Sequence, residues 1–283
     1  MSEVSITHVS DTALWVATYR AQESERPDAV FRDPLAKKLA GERGAQFAAS
    51  LEASAAMAFA MVVRTTAIDR LVQRAIAQGV DAVVNLGAGL DTRPYRLELP
   101  ADLRWIEVDF PALMDYKAAC LADDMPRCRV ERVPLDLADA TARGSLLERV
   151  GRETRRCLVI TEGVIAYLGP EEADQLSREL FAVPSVAYWI QDYARGKFRR
   201  VGDDKVKRLL GKVPFRFDSQ DPLAFFGQHG WVPEHDIAIL DEADRIGRSL
   251  PIMFPWTLLM KLMPGPIRAI GNRTYGYVMF AKA

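Results

Sequence analysis

Short apolar runs alternate with longer amphipathic stretches along the chain, and this alternation predicts an open α/β sheet with helices packed on it. Cys157–Thr161 is almost entirely apolar, as a central parallel strand covered on both faces should be. The other runs predicted as strands are Ala82–Leu86, Leu103–Val108, Arg129–Pro134, Ser185–Tyr193, His235–Leu240 and Tyr275–Lys282.

Helical patterns occupy the stretches between these runs. An amphipathic pattern covers residues 11–42, where Asp33-Pro34 predicts a helix start with the aspartate as cap. A second pattern runs from Ala53 to Gln78 and ends at Gly79. Because both precede the first strand, we expect them to form a helical lid over the open end of the sheet. Further helices are predicted after Thr92 and over Ala112–Leu121, Glu171–Phe181, Pro222–His229 and Ile252–Met263.

The first predicted strand stops at Gly87-Ala88-Gly89, where glycine permits a tight turn and the close approach of a ligand to the backbone. A dinucleotide fingerprint would place its third glycine at residue 92, but Asp91 and Thr92 stand there instead. The carboxylate would repel a pyrophosphate and would suit a cationic group, such as the amino acid part of S-adenosylmethionine. The alternative is a plain glycine turn in which Asp91 or Thr92 caps the next helix.

Carboxylates follow the next three predicted strands. Asp109 lies 22 residues after Gly87, a spacing at which an acid at the end of the second strand accepts hydrogen bonds from ribose hydroxyls. Asp136 follows the third strand and either accepts from the amine of an adenine or caps the next helix. Glu162 and Gly163 follow the fourth strand. These positions border the crevice in which open α/β sheets bind ligands.

Composition and charge narrow the class of protein. The chain has 283 residues, of which 49% are hydrophobic and 27% charged, enough for one large α/β domain or two small ones. The formal net charge of −1 gives no electrostatic case for binding nucleic acid or an anionic membrane. The most apolar stretches, Ala45–Val63 and Leu250–Met263, are not predicted to span a bilayer.

The cysteines and the N-terminus bear on cellular location. Cys120, Cys128 and Cys157 are odd in number and lack C-x-x-C spacing, which favours free thiols in a reducing cytosol over a metal site or disulfides. The N-terminus has no basic run followed by an apolar core, so no secretory signal is predicted. We therefore expect a cytoplasmic protein without a metal ion, monomeric or homodimeric, that binds a small molecule rather than nucleic acid or a membrane.

Taken in order, the motifs resemble one protein family. They are Thr12-Ala…Arg20-Ala…Arg26-Pro-Asp…Asp33-Pro-Leu-Ala36, Arg64-Thr, Leu86-Gly-Ala-Gly-Leu-Asp-Thr-Arg93, Glu107-Val-Asp109-Phe-Pro111 with Lys117, Asp136-Leu137, Glu162-Gly163…Tyr167-Leu168 and Gly230-Trp231. The chain resembles the leucine carboxyl methyltransferase family, whose bacterial branch includes S-adenosylmethionine-dependent methyltransferases of actinobacteria and polyketide carboxyl O-methyltransferases such as the tetracenomycin one.

The resemblance implies an α/β class I methyltransferase (Rossmann-like) fold, with a seven-stranded, mostly parallel sheet whose last strand is antiparallel. It implies one methyltransferase domain over residues 1–283. Within that domain, residues 1–78 form a helical N-terminal cap and residues 79–194 the cofactor-binding core. Residues 195–283 hold the substrate-side insertions and the last strands.

The resemblance also implies roles for individual residues toward S-adenosylmethionine. The glycine turn would lie alongside the cofactor. Asp109 would bind the ribose, and Asp136 with Leu137 would lie on either side of the adenine. Glu162 would reach the methionine end and Arg64 its carboxylate. The full set of predicted cofactor-binding residues is Arg20, Arg64, Gly87, Ala88, Gly89, Asp91, Asp109, Asp136, Leu137 and Glu162.

Carboxylate O-methylation would require little from the protein beyond positioning. A carboxylic acid is ionised at neutral pH, so the nucleophile needs no general base. The three histidines, His8, His229 and His235, are accordingly interpreted as structural. We expect Arg93 and Tyr167 to position the substrate.

Other groups and segments bear on substrate recognition. Arg96 is a further group that could fix a substrate carboxylate, although Arg93 and Arg96 could instead pair with surface acids. The N-terminal helices, the basic stretch 195–220 and the apolar stretch 250–268 would surround a hydrophobic, aromatic or polyketide-type acid, unless the last is simply a helix packed on the core.

Three other functions stay open at this point. A phenol or alcohol acceptor would need a general base, and the residues do not single one out. A nicotinamide-dependent oxidoreductase would share the first strand–turn–helix unit, but residue 92 is a threonine where its fingerprint would have the third glycine. A non-catalytic scaffold would not need Asp109, Asp136 and Glu162, because buried carboxylates without a ligand are costly.

Overall fold

Seven strands of the described residues form one sheet in the order β3-β2-β1-β4-β5-β7-β6. The protein is described here from a computed structural model that covers residues 10–50, 55–195, 215–249 and 274–283. The strands are β1 (Ala82–Leu86), β2 (Arg104–Asp109), β3 (Arg129–Pro134), β4 (Cys157–Thr161), β5 (Val186–Ala194), β6 (Trp231–Ala238) and β7 (Tyr275–Lys282). Pairs among β1 to β5 are parallel, whereas β7 runs antiparallel between β5 and β6. The predicted mostly parallel sheet with an antiparallel last strand is confirmed.

Helices connect the strands and cover both faces of the sheet. They are α1 (Ser10–Ser24), α2 (Ala36–Ser50), α3 (Ala55–Ala77), α4 (Arg93–Arg96), α5 (Pro111–Cys120), α6 (Ala140–Glu153), α7 (Pro170–Ala182), α8 (Pro222–Gly227) and α9 (Ile239–Arg245), with a 3₁₀ turn at Ile165–Tyr167. α3 contributes to the core on one face, which includes Ile68 of that helix and Ile160 of β4. The core on the other face centres on Trp189, whose ring lies 4.8 Å from that of Phe226 in α8.

The strand order fixes where a ligand would bind. The chain builds β1, β2 and β3 outward in one direction and then returns to place β4 on the other side of β1. The carboxyl ends of β1 and β4 therefore border the crevice created by this reversal, which is where open α/β sheets bind ligands. The register sets Asn85 of β1 beside Ile160 of β4, so the turns after these two strands face each other.

α1 lies over the turn that follows β1. Arg20 of α1 donates through Nη2 to the carbonyl of Leu90 at 2.6 Å. A Cβ on Gly89 would lie 3.4 Å from Ala13 Cβ of the same helix. α2 is kinked at Gly41, whose φ is +58°. The predicted placement over the open end of the sheet therefore holds for α1, whereas α3 packs on one face of the sheet.

One strand was predicted in the wrong place. The predicted strand His235–Leu240 is in fact Trp231–Ala238, and α9 begins at Ile239. β6 is an edge strand with most of its side chains half-buried or exposed, so its sequence lacks the apolar alternation of an inner strand. β6 also contains Pro233, which an edge strand accommodates where the ladder shifts register.

Some predictions concern residues that are not described. The predicted helix Ile252–Met263, residues 196–214 of the basic stretch and His8 lie outside the described residues. None of the described helices combines the length and the apolar composition needed to cross a membrane. Cys128 and Cys157 are buried and Cys120 is half-buried, all three as free thiols.

Candidate functional site

The turn after β1 packs against the turn after β4. Gly87 and Gly89 have φ angles of +72° and +49°, in the left-handed region that favours glycine. A Cβ on Gly87 would lie 2.4 Å from Val164 Cγ2, so a larger residue does not fit there. The N–H groups of Gly87 and Ala88 both donate to the carbonyl of Val108, at 2.8 and 3.0 Å. The close approach predicted for these glycines is made here to the Val164 side chain and the Val108 carbonyl, and the approach of a ligand to Gly87, Ala88 and Gly89 stays a prediction.

Asp109 ends β2 beside that turn. Its Oδ2 accepts the Gly89 N–H at 2.7 Å and its Oδ1 accepts the Phe110 N–H at 2.8 Å. A carboxylate that accepts two backbone N–H groups is held in one orientation. The structure therefore places Asp109 next to the glycine turn, and its role toward a ribose stays a prediction.

Asp136 and Leu137 follow β3 at the outer side of the same edge. Asp136 is exposed, and its Oδ1 accepts the Ala138 N–H at 2.9 Å. The cap of α6 is Asp139, whose side chain accepts two N–H groups of the first turn. The alternative in which Asp136 caps this helix is therefore wrong. The Leu137 carbonyl accepts a hydrogen bond from Arg143.

We expect Asp109→Ala to weaken the binding of S-adenosylhomocysteine by about 1–3 kcal/mol, because the change deletes a charged hydrogen-bond acceptor. Asp136→Ala should weaken it less, since Asp136 is exposed and the backbone of Leu137 stays in place. Isothermal titration of both variants and the wild type measures the two effects. Wild-type affinity in both variants would show that the strand-end assignments are wrong.

Asp91 is buried and accepts hydrogen bonds on both oxygens. Oδ1 accepts the Arg93 N–H at 2.9 Å, while Oδ2 accepts from Asn85 Nδ2 at 2.9 Å and from Arg93 Nη1 at 3.0 Å. Burial raises the pKa of Asp91, but the charges of Arg93 and Lys117 outweigh burial and lower the pKa to about 2. Asp91 is therefore ionised at neutral pH, and it also accepts from the first N–H of α4 as a cap does.

The lowered pKa of Asp91 predicts a pH dependence of stability. A carboxyl whose folded pKa is below its usual 3.8 stabilises the fold above that pH, and the contribution is lost as the pH falls toward about 2. We expect the difference in unfolding free energy between the wild type and Asp91→Asn to shrink by about 2 kcal/mol between pH 5 and pH 2. Urea unfolding at several pH values measures it. A difference that does not change with pH would contradict the expectation.

Glu162, the first residue after β4, lies between two guanidinium groups. Its Oε1 is 2.8 Å from Arg64 Nε, an ion pair in which this N–H is not aligned for a hydrogen bond. Its Oε2 accepts from Arg93 Nη1 at 2.8 Å. Burial raises the pKa of Glu162, but the charges of Arg93 and Arg64 outweigh burial and lower it. The glutamate is thus a charged group fixed at the mouth of the crevice.

Arg93 and Arg96 are held together by Asp69 of α3. Arg93 Nε lies 2.7 Å from Asp69 Oδ1, and Arg96 binds both carboxylate oxygens at 2.6 and 2.7 Å. Only 3% of the Arg93 side chain is exposed. Arg93 and Arg96 were alternatively predicted to pair with surface acids. They do pair with an acid, but Asp69 is largely buried. The role of Arg93 as a substrate clamp stays a prediction.

Arg20 and Asp33 connect the N-terminal helices to the glycine turn. Arg20 Nε donates to Asp33 Oδ2 at 2.8 Å, and the Thr92 hydroxyl donates to the same oxygen at 2.6 Å. Asp33 also accepts the Ala36 N–H at 3.1 Å, so its predicted capping of α2 is confirmed. In this arrangement Arg20 supports the loop that follows β1 rather than standing free in the crevice.

Tyr167 lies in the 3₁₀ turn after β4, where several segments meet. It hydrogen-bonds to the side chain of Thr12 in α1, and its ring centroid lies 5.2 Å from that of Phe215. Burial raises its pKa, so the hydroxyl is protonated at neutral pH. Tyr167 therefore lies beside α1, through Thr12, and beside Phe215. Its role in holding a substrate stays a prediction.

Four polar residues that the structure brings to this edge had no role predicted there from the sequence, although one of them, Asp33, was predicted as a helix cap. Asn85, Asp69 and Asp33 bind Asp91, Arg93 and Arg20. The fourth is Asp192 of β5, described below. Asn85 had a signal, because it is the one polar residue in the otherwise apolar strand β1.

The crevice has more negative than positive groups. Its carboxylates are Asp33, Asp69, Asp91, Asp109, Glu162 and Asp192, and its guanidinium groups are Arg20, Arg64, Arg93 and Arg96. Such a balance favours a ligand with net positive charge. Among the described residues, no group of three or more His, Cys, Asp or Glu side chains is arranged to hold a metal ion.

Comparison with known proteins gives a consistent result. The family model described as leucine carboxyl methyltransferase matches residues 13–181, more than half of the chain. A Streptomyces avermitilis protein, named as a candidate S-adenosyl-L-methionine-dependent methyltransferase, is 33% identical over 232 residues, which cover 78% of this chain and 82% of the relative. A Frankia alni protein of the same description is 31% identical over 252 residues, or 84% and 87% of the two chains.

Solved structures share the fold. A DUF574 family protein from Streptomyces avermitilis superposes with a TM-score of 0.56 at 17% identity, covering 94% of this chain and 97% of the other. A Thermobifida fusca protein, described as a candidate methyltransferase, has the same TM-score and identity, with 95% of this chain and 94% of the other covered. At this level of identity the likeness shows the fold alone. The family model and the relatives in sequence show more: the chain belongs to the leucine carboxyl methyltransferase family.

Proposed function

We propose that this protein transfers the methyl group of S-adenosylmethionine to a carboxylate oxygen of a small, largely apolar acid. Its family makes it an S-adenosylmethionine-dependent methyltransferase, and its relatives carry that description. The observation that supports this ligand is the surplus of carboxylates at the ends of β1, β2 and β4. The carboxylate acceptor is the part that the proposal adds.

The residues at this edge fit the ligand. S-adenosylmethionine carries a sulfonium, an ammonium and a carboxylate, so it is cationic overall and matches a negative crevice. We assign Glu162 to the ammonium side of the methionine end and Arg64 to its carboxylate. Asp109 is assigned to the ribose, and Asp136 with Leu137 to the adenine. Gly163 has a φ of +67°, and a Cβ there would lie 3.4 Å from Arg64 Nη1, so the arginine borders this turn closely.

The chemistry asks mainly for positioning. S-adenosylmethionine supplies a methyl carbon that is already strongly electrophilic. The protein must hold the acceptor oxygen in line with the bond that breaks and exclude water, and such proximity is worth about 7–11 kcal/mol. The lid formed by α1 and α2 is placed to exclude water. An acceptor with a pKa of about 4 enters already ionised.

The described histidines support an acceptor that needs no base. His229 lies before β6 and pairs with Asp174 of α7 at 2.5 Å. His235 lies within β6, and burial together with the charge of Arg74 lowers its pKa. Neither imidazole is bonded to the residues that follow β1, β2 and β4. The apolar composition of Leu250–Met263 supports an apolar substrate.

Titration calorimetry with S-adenosylmethionine, S-adenosylhomocysteine and NADH tests the proposed function. We expect both sulfur ligands to bind with one site per chain and NADH not to bind. Binding of NADH alone would favour a nicotinamide-dependent oxidoreductase. If millimolar concentrations of all three ligands gave neither heat nor a thermal shift, the protein would be a scaffold and the proposal would be wrong.

A further inference from the structure

We propose that Asp192 and Tyr275 are positioning residues that fix the Glu162–Gly163 turn, and through it Glu162 and Arg64, for the methionine end of S-adenosylmethionine. The inference rests on the proposed function, because it takes Glu162 and Arg64 as the groups that meet this end of the ligand. Asp192 and Tyr275 lie beyond residues 13–181, the part of the chain that the family model matches.

The contacts join three strands at one point. Asp192 Oδ1 accepts the Gly163 N–H at 2.6 Å, and its Oδ2 accepts from the Tyr275 hydroxyl at 3.1 Å. Asp192 belongs to β5 and Tyr275 opens β7, and the antiparallel register of these strands places Ala194 opposite Tyr275. The Asp192 carboxylate thus links the antiparallel strand β7 to the turn after β4. Both of its oxygens are used in doing so.

The bond to Gly163 sets the direction of Glu162. The Gly163 N–H belongs to the peptide that joins these two residues, so its orientation is tied to the backbone from which the Glu162 side chain departs. Gly163 has a φ of +67°, and the position where a Cβ would stand lies 3.4 Å from Arg64 Nη1. A rotation of this peptide would therefore move the glutamate and disturb the arginine together.

The charge of Asp192 adds to the geometry. Arg64 lies near both Glu162 and Asp192, and although burial opposes it, these negative charges raise the pKa of Arg64. An asparagine would accept the same N–H with a weaker, uncharged hydrogen bond. A second carboxylate near Glu162 is unfavourable by itself, because like charges repel. Its presence is explained if it holds the turn and adds negative charge toward the ligand's ammonium group.

Two ligands separate this role from a general structural one. S-adenosylhomocysteine carries the amino acid part, whereas 5′-methylthioadenosine has the same adenosine and thioether without it. We expect Asp192→Asn to weaken S-adenosylhomocysteine binding about tenfold or more and to change 5′-methylthioadenosine binding less than about twofold. Tyr275→Phe should show the same pattern with a loss of about threefold, since it removes only one hydrogen bond to Asp192.

The chain offers a matched control in a second tyrosine–aspartate pair. The Tyr193 hydroxyl of β5 donates to Asp236 of β6, away from the Glu162 turn, so Tyr193→Phe should leave the affinities for both ligands unchanged. Equal weakening of both ligands in Asp192→Asn and Tyr275→Phe would overturn the inference in favour of a general structural role, and so would wild-type affinity for S-adenosylhomocysteine. If Asp192→Asn did not fold, Tyr275→Phe would decide by itself. A wild-type protein that bound neither ligand would instead remove the proposed function.

Discussion

Glu162→Gln is expected to cause the largest loss of cofactor binding of any single substitution that keeps side-chain volume. The change removes the negative charge that lies between Arg64 and Arg93 and that we assign to the ammonium side of the ligand. Hydrogen bonds to charged groups contribute about 1.5–3 kcal/mol, so the affinity for S-adenosylhomocysteine should fall by about 10- to 100-fold. Breaking a buried ion pair should also lower the free energy of unfolding by about 3 kcal/mol.

Titration calorimetry and urea unfolding measure the two effects. Glu172→Gln is the matched control, because Glu172 pairs with Arg216 at the surface with about half of each side chain exposed. A surface pair of this kind contributes about 0–1 kcal/mol, so the control should change little. If Glu162→Gln were no worse than Glu172→Gln in both measurements, Glu162 would have no role at the site.

Gly87→Ala is expected to destabilise the fold and to disrupt the cofactor turn. Two effects add at this position. A non-glycine residue in the left-handed region loses about 1–2 kcal/mol, and a Cβ 2.4 Å from Val164 Cγ2 forces the turn after β4 to move, at about 1–3 kcal/mol. We expect a total loss of about 2–5 kcal/mol in unfolding free energy. Binding of S-adenosylhomocysteine should be lost with it.

Gly79→Ala separates the two effects. Gly79 has a φ of +86°, but nothing lies within 4 Å of the Cβ that alanine would add. Its loss of stability therefore measures backbone strain alone, and the excess in Gly87→Ala measures the clash. Combining Gly87→Ala with Val164→Ala should recover part of that excess. No recovery in the double variant would show that the contact with Val164 is not the cause.

The inner strands were predictable because a buried parallel strand needs apolar side chains on both faces. β1 and β4 occupy the predicted residues, and the predicted bounds of β2 and β5 differ from those in the structure by one residue at each end. β6 lies at the edge of the sheet, where only part of its surface is covered, and its pattern is correspondingly weak. β3 lies at the other edge of the sheet and still occupies its predicted residues, so an edge position by itself does not prevent a correct prediction.

The site was predictable where one local rule applied. A polar residue at the carboxyl end of a strand borders the crevice, and this rule found Asp109, Asp136 and Glu162. The same rule applied to β5 would have found Asp192. The ion pairs of Arg93 with Asp69 and Glu162 could not be predicted, because they join a helix, a turn and a strand that are distant in sequence and meet only through tertiary packing.

The measurement that tests the central claim most directly is the chemical form of the transferred methyl group. The protein would be incubated with methyl-labelled S-adenosylmethionine and matched pairs of acceptors, such as phenylacetic acid with 2-phenylethanol and benzoic acid with phenol. We predict label on the acids, released as methanol by mild alkali as an ester requires, at a rate nearly constant from about pH 8 to about pH 6 because the acceptor stays ionised. Alkali-stable label on the alcohol or phenol, formed at a rate that falls about tenfold per pH unit below about pH 7, would contradict the claim and would require a general base.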